Sequence, residues 1–191
     1  MTTSPATRSA EEQELFELVR RRSFRRGHFI LSSGRESEMY FNLKPTMLDP
    51  RGAWLCASAF LKIIAAEKIL FAGGLEMGAV PMLGSLAALS DMQGHPVRTF
   101  FVRKTPKSHG TKELIEGLAP DETLSGARVM IVDDVATTGN SALIAAGVAR
   151  EAGAIVDRAL VIVDRKEGAR EMLAPEGIRL LSILRGPEFL E

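Results

Sequence analysis

One stretch constrains this chain more than any other: Val129-Met-Ile-Val-Asp-Asp-Val-Ala-Thr-Thr-Gly-Asn-Ser141. Val129 to Val132 is a short apolar run rich in β-branched residues, the pattern of a strand buried on both faces. Asp133 and Asp134 follow it. A turn of Thr137, Thr138, Gly139, Asn140 and Ser141 comes next, and Ala142 to Arg150 then reads as a helix. In a parallel α/β sheet the loop beyond a strand's carboxyl end is where ligands bind. A loop that enters a helix N-terminus offers unpaired N–H groups and the positive end of the dipole, which suits a phosphate. Gly139 allows positive φ and a close backbone approach, and the hydroxyls add donors. Asp133 and Asp134 have the wrong charge for a phosphate, but a carboxylate can accept from two hydroxyls of a diol. Phosphate beside diol describes a ribose 5-phosphate. The plainer alternative is an ordinary strand-to-helix turn capped by Asp and Thr.

The rest of the chain repeats this rhythm. Ile69 to Ala72 reads as a strand, Gly73 to Gly78 as a glycine-rich loop and Ala79 to Leu89 as a helix. Thr99 to Val102, Ala159 to Val163 and Ile178 to Leu184 are further strands, with a charged turn from Asp164 to Gly168. Short apolar strands alternating with helices predict an α/β fold with a mostly parallel sheet flanked by helices. Upstream the pattern differs. Ser9 and Glu12 have capping-box spacing for a helix ending near Arg22. Phe29 to Leu31 and Met39 to Leu43 predict a small hairpin turning at Ser32 to Arg35, and Pro50 to Glu67 carries apolar residues at helical spacing. We therefore expect one domain over 1–191, with an N-terminal helix and hairpin to about residue 48 and an α/β core from about residue 49.

Formal net charge is zero over 191 residues, so bulk electrostatics favour neither nucleic acid nor membrane. No apolar run approaches a membrane span, and Met1 to Ala10 lacks an apolar signal core. Cys56 is the sole cysteine, so an intrachain disulfide and a zinc-type cluster are excluded. A cytoplasmic protein is expected.

Charge is concentrated locally in Arg103-Lys104-Thr105-Pro106-Lys107-Ser108-His109-Gly110-Thr111-Lys112, which contains no acid. It follows a strand whose neighbours build the ribose-phosphate site. Cations over a departing diphosphate stabilise the transition state more than the ground state. A loop that closes would also exclude water. A solvated basic loop is the alternative.

The stretch from Val129 to Ser141 closely resembles the phosphoribosyl-diphosphate (PRPP) signature of type I phosphoribosyltransferases. Arg103, Lys104, Lys107, His109 and Gly110 resemble the catalytic loop of the orotate phosphoribosyltransferase family. Leu31-Ser-Ser-Gly-Arg35 and Tyr40-Phe41-Asn42 are similar to that family's hood, and Asp164-Arg165 to its orotate site. The likeness runs from about Phe29 to Glu171. It implies a type I phosphoribosyltransferase fold and transfer of the phosphoribosyl group of PRPP to orotate, giving orotidine 5′-monophosphate and diphosphate in pyrimidine nucleotide synthesis. Asp133 and Asp134 would hold the ribose hydroxyls. Val135, Ala136, Thr137, Thr138, Gly139, Asn140 and Ser141 would line the phosphate site. Arg103, Lys104, Lys107 and His109 would neutralise the diphosphate, next to a diphosphate loop of Glu76, Met77 and Gly78. Arg165, Thr137, Tyr40 and Phe41 would meet orotate. From residue types alone, Arg165 could equally be a surface charge, and Tyr40 and Phe41 hairpin core.

The resemblance further implies Mg²⁺ bound mainly through substrate oxygens and waters, with no dedicated protein ligands. It also implies a homodimer whose loop reaches the neighbouring site. Two positions depart from the family pattern. Ser32 stands where many members have a lysine, and Glu76 and Met77 occupy the loop where many have another. Each change removes a cation, and Lys44 could offset one of the two losses. The alternatives are transfer to another nucleobase, or a PRPP-sensing regulator.

Overall fold

The computed structural model describes residues 8–30, 36–105 and 114–191. The first helix, α1 (Ala10–Arg22), starts on the expected capping box: Ser9 Oγ accepts the Glu12 N–H and the Glu12 carboxylate accepts the Ser9 N–H. Its buried face is Leu15, Phe16, Leu18 and Val19, and Arg20, Arg21 and Arg22 complement the dipole at its end. The hairpin is longer than the sequence suggests. Strands β1 (Phe24–Ile30) and β2 (Glu36–Phe41) pair antiparallel, with an irregularity between Arg26 and Phe29. The extension to Phe24 comes from packing, because its ring meets Phe41 and Phe189 at centroid distances of 5.2 and 5.3 Å. The expected turn at 32–35, and Leu31, lie outside the described residues. Leu43 is no strand residue; it precedes a short helix, α2 (Lys44–Met47). The helix α3 (Pro50–Ala66) follows, its first N–H groups accepted by the Asp49 side chain.

The core begins with β3 (Phe71–Leu75), α4 (Val80–Met92), β4 (Arg98–Val102) and the two-residue β5 (Ile115–Glu116). It continues with β6 (Arg128–Ala136), α5 (Asn140–Glu151), β7 (Ile155–Asp164), α6 (Ala169–Leu173) and β8 (Arg179–Arg185). The strands lie in the order β5-β4-β3-β6-β7-β8. Neighbours are parallel except for β5, which runs antiparallel to β4. Both faces are covered, as the apolar runs require. Along β6, Met130 and Val132 pack with α1, α3 and α4, whereas Val129 and Ile131 pack with α5 and α6. In β7, Leu160 and Ile162 join the first set, and Ala159 and Val161 the second.

Two expectations are corrected. Gly73 and Gly74 are strand residues of β3, not part of a loop. A Cβ on Gly73 would lie 2.2 Å from the Phe100 ring, and one on Gly74 would lie 2.1 Å from the Val132 carbonyl oxygen. These glycines admit neighbouring groups at close range, leaving only the segment after Leu75 as the loop. The strand carrying the acidic pair does not stop at Val132 either. β6 extends to Ala136, with Asp133 opposite Val161 and Val135 opposite Val163. Among the described residues, no helix is long and apolar enough to cross a membrane.

Candidate active site

The site gathers at the carboxyl ends of β3, β4, β6 and β7. Asp133 is 7% exposed. Its Oδ1 accepts the Asp134 N–H at 2.9 Å, and Asp134 Oδ1 accepts the Val135 N–H at 2.8 Å. The loop after β3 rests on this pair. A Cβ on Gly78 would lie 2.4 Å from Asp133 Oδ1 and 3.0 Å from Asp134 Oδ1. Burial pushes both carboxyls above the usual carboxylate range. The adjacent negative charge of Asp134 raises Asp133 further. Lys44, whose place the sequence alone does not fix, lies close enough to draw both down in part. The pair is thus an acceptor site short of positive charge.

Beyond Ala136 the chain turns into α5 through Thr137 and Thr138, both half-buried. Gly139 sits at φ +87°, the left-handed region. Among the described residues, α5 has no side-chain cap hydrogen bond, and its first turn carries no acid. Thr138 Oγ1 accepts the Asn140 N–H at 3.5 Å, a long contact, and Ser141 is exposed. The helix therefore presents a positive, thinly capped end. The positive φ expected of Gly139 is present, and the structure adds a packing reason for the glycine. A Cβ there would face Ala169 and Leu173, with the Ala169 carbonyl oxygen at 3.1 Å. The glycine thus serves the left-handed turn and also the packing against α6.

The loop after β3 and the start of the cationic segment meet directly: the Lys104 N–H donates to Glu76 Oε1 at 2.8 Å. Arg103 is half-buried and lies near Glu116, with Nη1 3.4 Å from Oε1. Met77 is exposed. Lys107 and His109 lie outside the described residues.

Arg165 is not a surface charge. It is 5% exposed, and its Nη2 donates to Ser37 Oγ at 2.8 Å, to the Met39 carbonyl oxygen at 2.8 Å and to Glu167 Oε1 at 2.9 Å. Tyr40 lies at the hairpin surface beside Phe29, with ring centroids 5.4 Å apart. Phe41 corrects the expectation of an aromatic pair over a base. Its ring is buried against Phe24 and Phe189, on the opposite face of the strand from Tyr40. Next to Arg165, Asp164 is also buried. Burial pushes its carboxyl up, but the Lys166 N–H and side chain and the Arg170 guanidinium outweigh this and hold it below the usual range.

Sequence reading missed Ser37, Glu167 and the placement of Lys44. Only the Ser-Glu-Met order before Tyr40 and the glutamate two residues past Arg165 hint at the first two. A larger cavity of about 770 Å³, lined in part by Leu118, Leu124 and Val148, lies under the 114–124 segment and contains none of these residues.

A family model for the phosphoribosyl transferase domain matches residues 48–176. The orotate phosphoribosyltransferase of Bradyrhizobium diazoefficiens is 52% identical over 185 residues, covering 97% of this chain and 99% of the relative. The chain belongs to the orotate phosphoribosyltransferase family. Among solved structures, the orotate phosphoribosyltransferase of Mycobacterium tuberculosis in complex with PRPP is 35% identical, with a TM-score of 0.76 over 95% of this chain and 99% of that one. The family member from Aeropyrum pernix is 32% identical, with a TM-score of 0.75 over 92% of this chain and 96% of that one.

Proposed function

We propose that this chain transfers the phosphoribosyl group from PRPP to orotate, giving orotidine 5′-monophosphate and diphosphate. One juxtaposition carries the reading: a buried carboxylate pair at the end of β6, touched by the Gly78 loop and followed by the thinly capped N-terminus of α5. A ribose 5-phosphate has a diol for the first and a phosphate for the second. Family membership supplies the base.

In this mechanism Asp133 and Asp134 accept the two ribose hydroxyls, and the 137–141 loop donates to the 5-phosphate. The C1–oxygen bond to diphosphate breaks ahead of attack, through an oxocarbenium-like state as in other glycosyl transfers. The diphosphate leaves with the bonding pair, and Arg103, Lys104, Lys107 and His109 neutralise its growing charge. The orotate ring nitrogen donates its pair to C1 and gives up its N–H proton to water or to a departing diphosphate oxygen as the bond forms; the anionic charge of orotate itself lies on its carboxylate. The carboxylates favour positive charge on the sugar, and positioning does the remainder. Mg²⁺, when bound, supplies charge neutralisation at the diphosphate oxygens. Asp133 and Asp134 are the carboxylates available to its water shell. Two carboxylates, without a third metal-ligating side chain grouped with them among the described residues, suit an ion that keeps waters and substrate oxygens.

The test is a panel of nucleobases with PRPP and Mg²⁺, following absorbance. Orotate should be consumed, while uracil, adenine and hypoxanthine should not. Preference for another base, or no turnover with any, overturns the assignment.

The reading extends to a cytoplasmic homodimer whose 103–112 loop serves the partner's site. A long cationic loop without apolar anchors needs an anionic target, and a two-fold axis can supply one. Lys107→Ala and Asp134→Asn should each be nearly inactive alone. Mixed dimers should regain activity, because one site then carries neither defect. No recovery, with subunit exchange confirmed by mass spectrometry, rejects the shared site. We also read 1–191 as one domain, supported by a core cluster that runs from Leu15 in α1 to Phe189 near the chain's end.

A further inference from the structure

The guanidinium of Arg165 is held in an unusual way. Three acceptors crowd one nitrogen, Nη2: Ser37 Oγ, the Met39 carbonyl oxygen and Glu167 Oε1, all within 2.9 Å. An Nη2 group has only two hydrogens, so that nitrogen is saturated. Nε, by contrast, is buried with no acceptor, and Nη1 makes no hydrogen bond among the described residues. A buried, charged N–H without a partner is unfavourable. A side chain that crowds one nitrogen with acceptors, and whose Nη1 has none among the described residues, has donor capacity left for a ligand.

The clamp joins distant parts of the chain. Ser37 is on β2 and Glu167 follows β7, 130 residues later, and Ser37 Oγ also lies 3.2 Å from Glu167 Oε1. The Ser37 hydroxyl further meets both the N–H and the carbonyl of Met39, each at 3.2 Å. The seat of the guanidinium and the seat of the hairpin are therefore set by the same hydrogen bonds.

We infer that Glu167 and Ser37 are positioning residues for the base: they fix Arg165 through Nη2, so that the Nη1 side of the guanidinium meets a planar anionic group such as a ring carboxylate. The inference rests on the orotate reading above. Glu167 itself would repel an anionic base, so its effect on the base passes through Arg165. Its carboxylate also accounts for why the guanidinium tolerates burial before substrate arrives: one face of the charge is already balanced.

The test uses the full-length enzyme and steady-state kinetics in both substrates. Glu167→Ala should raise the orotate KM about tenfold or more, the loss expected for one charge-assisted hydrogen bond. The PRPP KM and kcat should stay within about twofold. Glu167→Gln keeps an acceptor oxygen for Nη2 and Ser37 and should recover most of the loss. In an Arg165→Ala background, Glu167→Ala should change the orotate KM no further. A purely structural clamp would instead raise both KM values together, lower the melting temperature, and act equally with or without Arg165. Any of these kinetic results overturns the inference, as does an unchanged orotate KM. Should Glu167→Ala fail to fold, Ser37→Ala removes one acceptor without altering charge and makes the same comparison. Wild-type enzyme that ignores orotate overturns the functional reading itself. An orotate-active wild type with an indifferent Glu167→Ala overturns this inference alone.

Discussion

Replacing Gly78 by alanine should damage the reaction far more than the fold. The added Cβ would stand 2.4 Å from Asp133 Oδ1, where ordinary contact begins near 3.4 Å, an overlap of about 1 Å. A surface carboxylate would swing aside, but this one has little room. Asp133 is 7% exposed, its Oδ1 holds the Asp134 N–H at 2.9 Å, and its backbone is paired to Val161 in β7. The strain must therefore pass into the diphosphate loop or into the position of both carboxylates. A misplacement of about 1 Å at reacting groups costs on the order of 10²-fold in rate. We expect kcat/KM for PRPP to fall by about that factor, or roughly 2.7 kcal/mol of transition-state stabilisation. Overpacking costs about 1–3 kcal/mol of stability, and about 2–4 °C in Tm accompanies each kcal/mol at this chain length. The variant should thus still melt cooperatively. Gly84→Ala in α4 is the control, because its Cβ meets nothing within 4 Å. A helical alanine there should add about 0.5–1 kcal/mol. Gly78→Ala with kcat/KM within about threefold of wild type would refute the argument that this glycine spaces the loop from the carboxylates.

Asp133→Asn should raise Tm at neutral pH and leave it unchanged in acid. The folded carboxyl holds its proton more tightly than the unfolded one, so wild-type stability falls as pH rises from the ordinary value of 3.8 through the raised one. The amide escapes that loss, and a constant Tm difference from about pH 4 to pH 8 would contradict it. Asp164 has the opposite sign: its carboxyl is depressed, so its contribution is present above 3.8 and lost as pH falls through the folded value. Asp164→Asn should cost roughly 1.5–3 kcal/mol at neutral pH, with the gap closing in acid; a gap that widens in acid would contradict it. Ser141→Asp puts an anion in the first turn of α5 and should raise the PRPP KM with little change for orotate, as read from initial rates. Equal effects on both substrates would count against a phosphate seat there.

The sheet was legible because burial on two faces leaves a mark in one dimension. The apolar runs of β6 and β7 need covering on both sides, and the hydroxyl-and-glycine turn beyond β6 announces a helix start. Other features left a weaker or misleading mark. Gly73 and Gly74 look like loop residues, yet Phe100 and the Val132 carbonyl oxygen explain them, and neither neighbour is local. Helix α2 spans four residues, too short to show a period. Tyr40 and Phe41 are alike in type and differ only in which strand face each occupies, which depends on packing against Phe189. The Arg165 clamp depends on Ser37, 128 residues away, and proximity of that kind has no local signature.

Two carboxylate sites end neighbouring strands, and their surroundings give them opposite characters. Ala136 pairs with Asp164 across β6 and β7, so the two sites lie side by side in the sheet. Asp164 is surrounded by donors from Lys166 and Arg170 and stays ionised, a fixed anion that anchors the turn carrying Arg165. Asp133 and Asp134 have backbone donors, each other, and a share of Lys44's charge. An ionised pair in that position is short of donors and of positive charge. In the reading proposed above, a ribose diol would supply the donors, and the cationic residues of the 103–112 segment, or a hydrated divalent ion, would supply the charge. On that reading the pair would favour the sugar most when those cations are present, which would tie recognition of the ribose to capture of the leaving group. The same shortage would favour positive charge developing on a ribose ring held there, so the electrostatics that raise both carboxyls would also lower the barrier of the proposed reaction.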